Sequence, residues 1–340
     1  MPNESRRDLL RKLACIPATA SLAHLAVIEG LASSKGLERA LVAIKLTTTE
    51  TGNDPLLATA PNGLPLRAAP RNKQVLNASL AELHDHFLAG SLVVVNTVSD
   101  DDPENSGYAP EGFRLPAWAA RMGGANLRYL VPDAFTFSSG LCMFAPGASM
   151  PKGPRRDHPT LSVSPGLIMP RANKGRMRAG SAGIPAFDGP LAMRRLGKQL
   201  AEVAGLLAVC GRLGISRPVF QVSLSGIGSH ESTQVARLRE LSVSVSAFFE
   251  HTRRVGLDRV VTVYTDHGLA SDVAGVRRAQ FAIGGSVLGG QIHGTPEGPP
   301  IARVQFEATL AFWQGYGYSE LLTAFPELPG YSPPTLNFLA

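Results

Sequence analysis

Two apolar, β-rich runs flank one long amphipathic segment between Pro218 and Gly294, and this stretch constrains the fold more than any other. The first run, Val219-Phe220-Gln221-Val222-Ser223-Leu224, stops at Ser225-Gly226-Ile227-Gly228-Ser229-His230. The second, Val260-Val261-Thr262-Val263-Tyr264, stops at Thr265-Asp266-His267-Gly268. Between them, the segment from Gln234 to Val255 carries Leu238, Leu241, Val245, Phe248 and Phe249 at helical spacing. Strand, long helix, strand is a βαβ crossover, so the two strands are expected to be parallel. A third run, Gln280-Phe281-Ala282-Ile283, leads into Gly284-Gly285 and on to Gly289-Gly290-Gln291-Ile292-His293-Gly294. Polar groups thus gather where β-rich runs end, and open α/β sheets build their sites outside the carboxyl ends of strands.

The rest of the chain extends this pattern. Ala40 to Leu46 reads as a buried strand leading to Thr51-Gly52-Asn53-Asp54 before Pro55. Asp54 is there either a turn former or a ligand, and the local sequence favours the turn. Leu76 to Ala89 reads as a helix with Leu80, Leu83 and Phe87 on one face. Its His84 and His86 stand two apart and so point to different sides, which argues against a shared ligand role. Ser91 to Val98 reads as a second strand, running into Asp100-Asp101-Asp102 and Ser106-Gly107-Tyr108. Such an acidic run is either a cation site or, more commonly, a solvated loop. From Pro110 to Pro190 glycine and proline are dense, with short strands expected at Leu127 to Leu130 and Leu161 to Val163. Leu191 to Gly211 reads as a helix, and Glu307 to Gly315 with Ser319 to Phe325 as closing elements.

At 340 residues and 44% hydrophobic content, the chain can bury a large core as one big α/β domain or two smaller ones. Its net charge of +6 is spread over separated pairs such as Arg155-Arg156, Arg194-Arg195 and Arg277-Arg278. No continuous basic stripe results, so a solvated basic surface is expected and not a nucleic-acid interface. At the amino terminus, Ser5-Arg6-Arg7-Asp8-Leu9-Leu10-Arg11-Lys12 precedes a mildly apolar run from Leu13 to Leu31. That is the layout of a twin-arginine export signal, while Pro17, His24 and Glu29 make the run a poor membrane span. The expected organisation is an export signal over 1–34 and a single domain over 35–340, with an irregular insertion around 100–190. The protein would then be exported or periplasmic, handled by the twin-arginine machinery. Cys142 and Cys210 remain in a mature chain, and neither has the C-x-x-C spacing of a thiolate zinc site.

Asp54, Ser229, His230, Asp266, His267 and His293 are the chemistry-bearing residues at expected strand ends. Carboxylates and imidazoles together suit a divalent metal, zinc first. A metal there would activate water or a hydroxyl and neutralise a phosphoryl or sulfuryl group in displacement.

Thr265-Asp266-His267-Gly268 after an apolar strand resembles the strand-end Asp-His pair of the alkaline phosphatase and sulfatase superfamily. Most of the chain is similar to a narrower group within it, the twin-arginine-exported bacterial proteins of domain-of-unknown-function family 1501. The likeness runs from Ser5-Arg6-Arg7 through Gly52-Asn53-Asp54, the helix from Arg195, Val222-Ser223-Leu224-Ser225-Gly226 and Gln234. It continues through Gly284-Gly285 and Gly289-Gly290 to Ala308-Thr309-Leu310-Ala311 and Phe325-Pro326. The resemblance implies a three-layer α/β/α sandwich with a mostly parallel sheet, alkaline-phosphatase-like, and metal ligands at strand ends.

The departures from the family pattern bear on chemistry. Gly226-Ile227-Gly228-Ser229-His230 keeps the family's histidine but has Gly228 where a carboxylate is usual. Ser106-Gly107-Tyr108 lacks a histidine, and Asp272-Val273-Ala274-Gly275 lacks both ligand types of Thr-Asp-His-Gly. Asp266-His267-Gly268-Leu269 stands where Glu/Asp-Phe-Gly-Arg is usual, so His267 is a replacement. The metal set left to the chain is Asp54, His230, Asp266, His267 and His293, with Ser106 and Ser229 as candidate nucleophiles. So reduced a set implies a non-catalytic binding or assembly protein with an unknown protein or small anionic ligand as partner. The alternative is a metal-dependent hydrolase of phosphate or sulfate esters.

Overall fold

Strand β1 (Ala40–Thr48) is apolar on both faces: Val42, Ile44 and Leu46 enter one core cluster, Leu41 and Ala43 the other. A strand with no polar face must be covered on both sides. The computed structural model puts it in the interior of a ten-stranded sheet. It describes residues 37–48, 54–59, 63–66, 74–98, 134–137, 142–144, 162–163, 195–210, 217–227, 231–267, 277–294 and 301–340.

After β1 come β2 (Leu57–Thr59), β3 (Gly63–Pro65), β4 (Gln74–Asn77), helix α1 (Ala81–Leu88) and β5 (Leu92–Val98). Short strands β6 (Ala134–Phe137), β7 (Cys142–Phe144) and β8 (Ser162–Val163) precede helix α2 (Arg195–Cys210). Then follow β9 (Val219–Ile227), α3 (Glu231–Arg254), β10 (Val261–His267) and β11 (Arg277–Gly284). The chain closes with β12 (Ile292–His293), β13 (Ile301–Ala302), α4 (Arg303–Gln314) and α5 (Tyr318–Ala324).

The large sheet runs β12-β5-β11-β10-β1-β9-β7-β6-β8, with β13 also on β5, and β2-β4-β3 form a separate three-stranded sheet. Both β9 and β10 pair with β1 in parallel, so the crossover through α3 has the expected sense, with β1 between its strands. β12 and β13 also run parallel to β5, and β11 is antiparallel to both its neighbours. The chain is therefore mixed α/β, with a mostly parallel central sheet and helices.

One core cluster joins the sheet to Leu83 and Phe87 of α1, Leu196, Leu200 and Val203 of α2, and Leu238, Leu241, Val245 and Phe248 of α3. The other joins it to Val304, Phe306, Leu310 and Trp313 of α4, Leu321 of α5 and Phe338. Each fully buried phenylalanine, such as Phe220, Phe248 or Phe306, contributes about 1.5–3 kcal/mol of transfer free energy. Among the described residues no helix is long and apolar enough to cross a membrane.

Two elements differ from the sequence reading. The segment expected as one helix from Leu76 begins as strand β4 and a 3-10 turn (Ala78–Leu80), and becomes α-helical at Ala81. Asn77 explains the boundary: its side-chain oxygen accepts the Ser79 N–H at 3.0 Å, capping the turn, while β4 pairs on both edges. The second difference is direction. Because β11 is antiparallel, Gly284 pairs with Thr262 at the start of β10, so the glycine-rich end lies across the sheet from Asp266 and His267. The export segment 1–34, Leu127 to Leu130 and most of the 100–190 insertion lie outside the described residues.

Candidate site at the open end of a strand pair

The β10–β11 ladder registers Thr262 with Gly284, Val263 with Ile283 and Tyr264 with Ala282, and then stops. Neither strand ends there. β10 stays paired with β1 as far as His267, opposite Leu46, and β11 stays paired with β5 as far as Arg277, opposite Val98. Carried on, the same register would set Thr265 opposite Phe281 and His267 opposite Ala279. The Gly284 N–H donates to Ser91 O on the β5 side, at 3.2 Å. Alternation along an antiparallel strand therefore aims the N–H groups of Ile283, Phe281 and Ala279 at β10.

Past Tyr264, side chains answer those groups. Thr265 Oγ1 accepts the Phe281 N–H at 2.9 Å. His267 Nε2 donates to the Ala279 carbonyl at 2.7 Å. Asp54 Oδ2 accepts the Ala279 N–H, while Asp54 Oδ1 accepts from Leu56 N at 2.8 Å and Leu57 N at 3.4 Å. Each of these backbone groups would cost about 1–3 kcal/mol if left buried without a partner. Asp54 is thus the turn former its local sequence suggested, and also a tie from the segment after β1 to β11.

This environment sets the protonation of both side chains. Burial raises the Asp54 carboxyl to about 6, against the opposing pull of the Ala279, Leu56 and Leu57 N–H groups and the Arg278 charge. Burial lowers the His267 imidazole to about 4; the Ala279 carbonyl opposes this, and Arg278 and Arg303 add to it. His267 is only 8% exposed, and its Nδ1 has no hydrogen-bond partner. At neutral pH the ring is uncharged, with Nε2 carrying the proton and Nδ1 offering a buried lone pair.

Asp266 does not join this pair. Successive side chains in a strand point to opposite faces, and Asp266 lies on the α4 side with Tyr264. There its Oδ1 meets Arg303 Nη2 at 2.9 Å, and Arg303 Nε meets Glu307 Oε1 at 2.7 Å. Arg303 Nη1 also reaches the His267 carbonyl at 3.5 Å. Burial raises the Asp266 pKa; Arg303 and Lys45 pull it down and Glu307 pushes it further up.

His293 sits opposite Val95, with β5 and β11 between it and β10. Three strand spacings separate the two, about 14 Å. Its ring lies 6.0 Å from that of Phe338, and burial lowers its pKa. His230 and the candidate nucleophiles Ser106 and Ser229 lie outside the described residues, as do Gly228 and Asp272 to Gly275. So, of the four described metal candidates, the structure brings together Asp54 and His267. Among the described residues no group of three or more His, Cys, Asp or Glu side chains is arranged to hold a metal ion.

The remaining sequence signals have structural partners. His84 Nε2 donates to Pro65 O at 2.9 Å, and His86 Nε2 lies 2.8 Å from Ser246 Oγ, edge-on to Phe249. The glycines after β11 permit close approach: a methyl group at Gly289 would stand 2.5 Å from the Leu92 N and O, and one at Gly285 2.7 Å from Asp258 Oδ2. Sequence reasoning missed Thr265, Ala279 and Arg303. Arg303 carried a findable signal, an (i, i+4) spacing to Glu307. Ala279 carried none, because only its backbone takes part. Compared with family models, curated proteins and solved structures, the chain matches none of them.

Proposed function

We propose that this chain is an exported, alkaline-phosphatase-like three-layer α/β/α protein that binds or assembles and does not catalyse. One observation carries the reading: both oxygens of the Asp54 carboxylate are taken by backbone N–H groups. Oδ1 accepts from Leu56 and Leu57 and Oδ2 from Ala279, so three backbone N–H groups already hold the carboxylate in place. Asp266 is likewise committed to Arg303, on the opposite face from His267. Among the described residues no three His, Cys, Asp or Glu side chains converge on one point, whereas a metal-hydrolase first shell uses three or four ligands. Its partner would be another protein or a small anionic ligand, met after twin-arginine export.

The unpartnered Nδ1 of His267 favours a second reading. A buried imidazole that donates its other nitrogen to a backbone carbonyl has the second-shell arrangement typical of a metal ligand. On that reading the chain is a zinc-dependent hydrolase of phosphate or sulfate esters, with His267 and His230 among its ligands. Inductively coupled plasma analysis after zinc loading, with aryl phosphate and aryl sulfate assays on the same sample, separates the two. The binding reading expects well under one zinc per chain and no hydrolysis. Stoichiometric zinc with turnover that His267→Ala abolishes would overturn it.

A further inference from the structure

We propose that the site end of the β10–β11 pair is a two-state clasp, and that closing it hands Asp54 and His267 from the backbone to a ligand. Thr265 and His267 reach by side chain the residues that stand opposite them if the ladder continues, Phe281 and Ala279. The strands have therefore not slipped; they stand apart by the width of a side chain, in step.

Each outer edge remains zipped, β10 to β1 and β11 to β5, so closure swings two halves of the sheet together about the last rung, Tyr264–Ala282. In the closed form the Phe281 and Ala279 N–H groups bond to the Thr265 and His267 carbonyls, as the alternation of an antiparallel ladder requires. Asp54 then loses its tie to Ala279, and the imidazole leaves the Ala279 carbonyl. Backbone bonds replace side-chain bonds in nearly equal number, so closure costs little, and the open form is the more stable one in the ligand-free chain. A ligand that engages Asp54 Oδ2 and His267 Nε2 then favours the closed form, because only there are these two atoms released from Ala279.

Nuclear magnetic resonance on the full chain tests this. In a closed ladder Asp266 and Gln280 become a non-hydrogen-bonded pair, whose α-protons lie in close contact across the strands. The native chain is expected to lack that contact. Thr265→Val removes the hydroxyl acceptor and is expected to bring the contact out and slow Phe281 amide exchange at least tenfold. Thr265→Ser keeps the hydroxyl and is expected to behave as the native chain, which guards against a general folding defect. A strong Asp266–Gln280 contact in the native chain would overturn the proposal. So would a Thr265→Val protein in which Phe281 exchange accelerates with no new contact.

Discussion

Asp54 and His267 shift in opposite directions, and their effects on stability oppose one another. Asp54 titrates near 6 when folded against 3.8 ordinarily, so between those values the folded chain holds a proton that the unfolded chain lacks. Its contribution is greatest at low pH and is lost as pH rises through 6. His267 titrates near 4 when folded against 6.5 ordinarily, so its contribution is full above 6.5 and is lost as pH falls through 4. Each amounts to on the order of 3 kcal/mol, and over the shared window they largely cancel. Urea unfolding across this range is therefore expected to show opposite departures from the native chain. Asp54→Asn should lose stability more steeply on acidification, and His267→Gln should gain it. Arg303 gives a second test at this scale. Arg303→Met strands Asp266 and Glu307 without their cation, and an unfolding midpoint is expected to report a loss of about 3–5 kcal/mol.

The elements were legible in proportion to how long and how periodic they are. Helices α2 and α3 and strands β1, β9 and β10 stand out because their apolar residues recur over nine or more positions or fill a run bounded by turn formers. Strand β11 was legible as a strand but not in its direction, because no crossover helix ties it to β10. That mattered for the site: an antiparallel β11 carries Gly284-Gly285 away from His267 and brings Ala279 to it. Asp54 and His267 could be marked as polar groups at strand ends, but their meeting on one alanine's backbone leaves no trace in residue types. The glycine pairs show the converse, a conspicuous pattern with a packing cause. Gly289→Ala sets a methyl group against the Leu92 backbone, with an expected loss of about 1–3 kcal/mol in thermal or urea unfolding.

At the scale of the molecule, a sheet buried on both faces carries polar groups at the carboxyl ends of β10 and β12, and the described candidates divide between its two sides. Val263, Thr265 and His267 face the α1–α3 side, while Tyr264 and Asp266 face α4. Strand periodicity alone would have separated Asp266 from His267, since neighbours in a strand point to opposite faces. The division leaves His267 Nδ1 as the one buried, unpartnered donor atom among the described metal candidates on β10. On the proposed reading, the residues at this end of β10 serve the backbone and not a metal. Long-range nitrogen–proton correlation of the His267 imidazole during zinc titration tests it most directly. The expected result is a neutral ring protonated on Nε2, unchanged by added zinc at neutral pH. A stoichiometric, zinc-induced shift of the Nδ1 resonance would contradict it.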